Sequence, residues 1–145
     1  SLDVLATGLP FVDAPVYPVL DARQGNVYVA RYRLEESRPI KDSEYLLGPI
    51  NDTVAPSTQP AIFVGDGCAV YREQITARVP KALFAPSECW LPKAAVLARL
   101  GQTRLQQGLA DDPARLQPLY LYPMDCSVRA PDRPTAVIPK PAAAV

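Results

Sequence analysis

The chain has 145 residues, 48% of them hydrophobic, which suits one domain with a closed core. Fifteen basic residues balance fifteen acidic ones, so no net field draws the chain to nucleic acid or to an anionic membrane. Histidine is absent, which excludes Ser-His and Cys-His nucleophiles and every His-ligated metal site.

The cations are eleven Arg and four Lys, scattered without the stripe that a phosphate backbone requires. Direct nucleic-acid binding by this segment is therefore not expected. Cys68, Cys89 and Cys126 lie too far apart for a zinc knuckle or a redox pair, and reduced thiols in the cytoplasm are expected. No apolar run approaches membrane-spanning length. Proline occurs 17 times, where ordinary usage gives about 7. Ser1 opens the chain in place of Met, and the sequence is expected to be a piece of a longer protein.

In chain order, Ser1 to Thr7 predicts a short helix with Leu2, Leu5 and Ala6 on one face and Gly8 at its end. Tyr17 to Ala22 predicts a strand, Arg23-Gln24-Gly25 a tight turn, and Asn26 to Arg33 a second strand. On the second strand Tyr28, Ala30 and Tyr32 share one face, and Val27, Val29, Arg31 and Arg33 the other. The two arginines predict a sheet well covered on one side only. Glu35 to Asp42, with Pro39, reads as a loop. Tyr45 to Leu47 predicts a third strand, and Pro49 opens a brief helix ending near Pro56.

Ala61 to Val64 predicts a buried strand. Beyond Gly65-Asp66-Gly67, residues Ala69, Val70, Arg72, Glu73 and Ile75 carry a helix toward Val79. Ala82 to Ala85 follows as a small strand. From Pro92 to Gln107 the composition is helical, with Leu97, Gly101, Leu105 and Leu109 predicted as a buried stripe. Pro118 to Tyr122 reads as a closing extended segment. From Cys126 onward neither a strand nor a helix period is present, and a loose Pro/Ala-rich tail is expected over 126–145. A three-strand meander followed by helix–strand alternation gives an α/β fold with a mixed sheet and packed helices.

Two loci stand out. In Gly65-Asp66-Gly67, glycines after a buried strand can let helix N–H groups face a phosphate. The plainer reading is a tight turn in which Asp66 accepts from those N–H groups. Asp21, Arg23 and Gly25 form either a partner-binding tip or a hairpin in which Asp21 bonds backbone and Arg23 pairs nearby. Tyr17, Tyr28, Tyr32 and Tyr45 read as sheet-face packing and Trp90 with Phe84 as core. Asp111-Asp112 reads as a solvated loop without a supporting acid or base. No catalytic residue, metal or cofactor is expected.

Several of these pieces, in this order, resemble the second lobe of the TsaB (YeaZ) family. They are the opening Ser1-Leu2 to Leu5-Ala6 helix, the run Leu20-Asp21-Ala22-Arg23-Gln24-Gly25-Asn26-Val27-Tyr28, and Val64-Gly65-Asp66-Gly67. Leu91-Pro92-Lys93-Ala94-Ala95 and Pro118-Leu119-Tyr120-Leu121 complete the set. The resemblance covers residues 1–125. Tyr122 stands where the family usually has Arg, which places any role of that Arg in doubt. The resemblance implies a single lobe of the actin-like ATPase (ribonuclease H-like) fold. It also implies a non-catalytic subunit that pairs with TsaD and works with TsaE to make threonylcarbamoyladenosine on tRNA, with homodimerisation open. The alternatives are a nucleotide-binding or ATP-hydrolysing domain, or a glycoprotease or metallopeptidase by kinship. The last conflicts with the missing histidine, because the metal site of TsaD relies on His ligands.

Overall fold

A computed structural model describes residues 1–10, 12–36, 38–119, 121–122 and 136–138. Helix α1 (Leu2–Thr7) precedes strand β1 (Val16–Asp21), which turns into β2 (Val27–Val29) and β3 (Tyr32–Glu35). Val16 opposite Tyr32 continues the ladder of Val19 opposite Val29 without a shift, so β2 and β3 are one interrupted strand antiparallel to β1. That register carries Pro18 opposite Ala30, where the pairing lapses. Proline has no N–H to give to a ladder.

The outer strand is interrupted at the same level. Arg38–Lys41, inside the stretch whose polarity predicts a loop, is a strand: β3 pairs antiparallel with β4 (Arg38–Lys41), Leu34 facing Pro39. Pro39 is tolerated because β4 is an edge strand. Next, β5 (Tyr45–Gly48) pairs with β2. Lys41 faces Tyr32 and Leu46 faces Val29, so the outer strand bulges across Asp42–Glu44. Backbone and side-chain bonds together hold the bulge. Arg31 N donates to Ser43 Oγ at 2.7 Å, Arg31 Nε to Asp42 Oδ1 at 3.0 Å, and Asp42 N to Arg31 O at 3.0 Å.

Helix α2 (Ile50–Thr53) leads to β6 (Ala61–Val64), parallel to β1 on its other edge. Helix α3 (Gly67–Arg78) then leads to β7 (Ala82–Phe84), parallel to β6. A short 3-10 turn (Ser87–Cys89) precedes helix α4 (Ala94–Gln106). The described part of the predicted tail is Ala136–Ile138, which forms strand β8 against β5 although the sequence there has no strand period. Leu121 and Tyr122, from the expected closing segment, lie in no strand; the remaining residues of 123–145 lie outside the described residues.

Side chains alternate with period two between two cores. Val19, Val27, Val29, Ala61 and Phe63 face α2 and α3, meeting Ile50, Val54, Cys68, Tyr71, Ile75 and Val79. Val16, Ala30, Tyr32 and Val64 face α1, meeting Leu2, Leu5 and Ala6. The sheet is thus covered on both faces, not one. Arg31 and Arg33 lie beyond the covered stretch, paired with Asp42 and Glu35. Each fully buried Val or Ile stabilises the fold by about 2 kcal/mol. Asp3 pins α1 to the sheet, accepting the Tyr32 hydroxyl at 2.7 Å and the Tyr45 hydroxyl at 2.6 Å.

Helix α4 departs most from its sequence reading. None of its residues is buried, and Leu97, Leu105 and, just beyond, Leu109 are exposed. Its apolar stripe exists, but little of the described chain covers it.

Candidate functional site

The two loci singled out in the sequence meet in space. Strands β1 and β6 run parallel, and both loci leave from their carboxyl ends: the β1–β2 turn and the β6–α3 turn. In α/β sheets this end is where ligand crevices form.

The hairpin turn needs three left-handed residues, Arg23 (φ 67°), Gln24 (φ 52°) and Gly25 (φ 78°). Asp21 Oδ1 accepts Arg23 N at 2.9 Å, which gives an Asx-type turn, and Asn26 N donates to Arg23 O at 3.0 Å. Arg23 Nη1 lies 3.3 Å from Asp21 Oδ2, but the Arg23 side chain is 88% exposed, so this pair contributes little.

The second turn presses against β1. Gly65 has φ 120°, and a Cβ there would stand 2.3 Å from Val19 O. A Cβ on Gly67 would stand 2.7 Å from Val19 Cγ1. These glycines are required by close backbone approach. The side chain of Asp66 does not cap α3, as the plainer reading of the turn had it. Its Oδ1 accepts Asp21 N at 3.0 Å, joining the two turns directly.

Tyr71 completes the junction. Its hydroxyl lies 3.1 Å from Asp21 Oδ1 and 3.3 Å from Asn26 O, and α3 leaves helical dihedrals at this residue (φ −111°, ψ 16°). Burial first, then the bond to Asp21, pushes the Tyr71 hydroxyl up to about 12. On the outer side the Tyr122 hydroxyl donates to Ala22 O at 2.9 Å, and its ring meets Tyr28 edge-on at 6.1 Å. Tyr71 was not singled out in the sequence; Asn26 was named within the hairpin run, and Tyr122 as a departure from the family's usual Arg. Tyr71 carried a signal, falling between Cys68 and Ile75 on the face that α3 buries.

Chemically the junction is a mutual tie. Asp21 Oδ1 already accepts from Arg23 N and Tyr71. At the start of α3, Cys68 N and Ala69 N donate to Gly65 O and Asp66 O, at 3.0 and 3.1 Å. A phosphate cradle needs such N–H groups turned outward, and the exposed Asp66 carboxylate sets a negative charge beside them.

Elsewhere the Cys68 thiol is buried and pushed up to about 12 by that burial, which suits packing rather than nucleophilic attack. Cys89 is half-buried, and Cys126 lies outside the described residues. Among the described residues no group of three His, Cys, Asp or Glu could hold a metal ion, and no helix is long and apolar enough to cross a membrane. A groove of about 140 Å³ lies between Tyr17, Arg31, Leu46 and Thr53, below the size of a drug-sized ligand site.

No family model and no curated protein matches the chain. Among solved structures, a Pseudomonas aeruginosa protein described as uncharacterised with similarity to peptidase YeaZ superposes with a TM-score of 0.67 at 23% identity. That match covers 83% of this chain and 56% of the other. YeaZ from Pseudomonas aeruginosa superposes with a TM-score of 0.66 at 23% identity, covering 82% and 56%. The chain shares its fold with YeaZ. It spans only 56% of the length of either YeaZ-like structure, with the hairpin–turn junction inside a mixed α/β lobe.

Proposed function

We propose that this chain is one actin-like (ribonuclease H-like) lobe of a TsaB/YeaZ-type subunit, without catalysis of its own. It acts in the cytoplasm within the complex that makes threonylcarbamoyladenosine on tRNA, in support of TsaD-like and TsaE-like proteins. The single observation that carries this reading is the superposition on YeaZ at a TM-score of 0.67. The junction agrees with a scaffold role: Asp21, Asp66 and Tyr71, its reactive-looking groups, are bonded to one another or to nearby backbone. With no histidine in the chain, a peptidase of the His-ligated metal type has no ligands to draw on.

A reconstituted modification assay tests the proposal. A chimera carries this chain in place of the matched part of Pseudomonas aeruginosa YeaZ, and it is combined with TsaD-like and TsaE-like proteins, tRNA and the threonylcarbamoyl donor. Modified tRNA is expected with the chimera and none with this chain alone. A chimera that folds by circular dichroism yet supports no modification would refute the assignment.

A further inference from the structure

The outer edge of the sheet is protected in two different ways. Its β4 half carries Arg38, Pro39 and Lys41, and charge together with proline keeps an open edge from pairing with another chain. Its β5 half, Tyr45-Leu46-Leu47-Gly48, has neither charge nor proline. There the edge is taken by β8, antiparallel: Tyr45 faces Ile138, Leu46 faces Val137 and Leu47 faces Ala136. One half of the edge refuses a strand, and the other holds one.

The hold is slight. Three residues of β8 pair, and Pro134 and Pro139, which have no N–H to give, lie within two residues of its ends in sequence. Ladder bonds over so short a strand gain about as much as the chain entropy they cost. The tether supplies the rest. Buried Leu121 packs with Leu47 and Ala22, and the Tyr122 hydroxyl donates to Ala22 O at 2.9 Å, so the chain is anchored beside β5 just before the tail begins. Residues 123–135 join this anchor to β8, and a tether of that length supplies its strand at a millimolar effective concentration. A segment from another chain can pair further, because Gly48 lies on β5 beyond the described ladder.

We propose that the outer edge of β5 is a strand-acceptor site for an extended, uncharged segment of a partner protein, and that Ala136–Ile138 is the chain's own removable cap over it. The cap states the chemistry of the guest: small and β-branched residues without charge, bonded through backbone to an edge that also carries none. A second copy fits less well, since its β5 edge is capped in the same way and its β4 edge carries Arg38, Pro39 and Lys41.

Hydrogen–deuterium exchange of the whole chain reads the cap at the Tyr45–Gly48 amides. The variant is Ala136→Pro with Val137→Pro. Successive N–H groups of a strand point to opposite sides, so one of the two prolines must remove an inward donor. Exchange of the outward β5 amides is expected to rise at least ~10-fold, with β1, β6 and the circular dichroism unchanged. A peptide of residues 134–141 at about 1 mM is expected to restore the protection in the variant. The same peptide with Val137→Lys and Ile138→Lys is expected not to. In fluorescence anisotropy the labelled peptide is expected to bind the variant at least ~10-fold more tightly than the unaltered chain, whose tail competes for the edge. Unchanged exchange in the variant would mean that β8 caps nothing, and failure of the peptide to restore protection would mean that the edge accepts no strand. Equal protection by the lysine peptide, or equal affinity for variant and unaltered chain, would equally overturn the proposal. A variant that sediments as a dimer with its β5 amides still protected would give the edge to a second copy instead.

Discussion

Replacing Gly65 by Ala tests whether the two turns are locked by backbone contact. At φ 120° an L residue is strained by about 1–3 kcal/mol. The new Cβ would also stand 2.3 Å from Val19 O and 3.1 Å from Val19 C. Val19 is fully buried in a strand paired on both edges, so relief requires shifting β1 or α3, which costs about 1–3 kcal/mol more. Gly65→Ala should therefore destabilise the chain by about 2–6 kcal/mol. Gly25→Ala is the control: its φ is 78°, nothing lies within 4 Å of its Cβ position, and about 1 kcal/mol is expected. Urea unfolding followed by circular dichroism should separate the midpoints by about 1–2 M. Midpoints within about 0.3 M of each other would show that the contact between the β6–α3 turn and Val19 is not what holds the junction.

Tyr71→Phe removes the hydroxyl at Asp21 and Asn26 but keeps the ring, so urea unfolding should show a loss of about 1 kcal/mol; no loss would remove Tyr71 from the tie. Burial, and then Asp3, raise Tyr32 and Tyr45 above their ordinary range, and Tyr71 is pushed up to about 12. Folding therefore favours the protonated phenols, and their contribution is fully present below about pH 10 and lost as pH climbs past it. Absorbance at 295 nm should show their ionisation delayed and coincident with the loss of circular dichroism; ordinary titration near pH 10 with the fold intact would contradict this. Calorimetry with ATP and Mg²⁺ should show no saturable micromolar binding, and saturable binding that vanished in Asp66→Ala would favour the nucleotide reading instead.

The strands that face both cores were legible because their alternation is clean. Val27, Val29 and Val19 against Tyr28, Ala30 and Val16 state the pleat directly. Strand β4 was not legible, because an edge strand may carry Pro39 and charged residues without a core face to mark it. Arg31 misled for a related reason: its charge belongs to the bulge, where it holds Asp42, and says nothing of the buried valines before it. Both turns were visible as Gly/Asp punctuation, but their union was not. The bond from Asp21 N to Asp66 joins residues 45 apart in sequence and depends on β6 lying parallel beside β1. The leucines of α4 gave the right period and the wrong burial, since a hydrophobic stripe reports that a helix needs cover without saying what provides it.

The most direct measurement of a non-catalytic role is the rate of tRNA modification by the reconstituted complex when the chimera carries Asp21→Asn with Asp66→Ala, assayed where the variant stays folded. A scaffold predicts a change in kcat of less than about threefold, because neither carboxylate handles a reacting proton. Loss of a general acid or base costs about 10²–10⁴-fold, and a drop of that size would place the chemistry in this lobe.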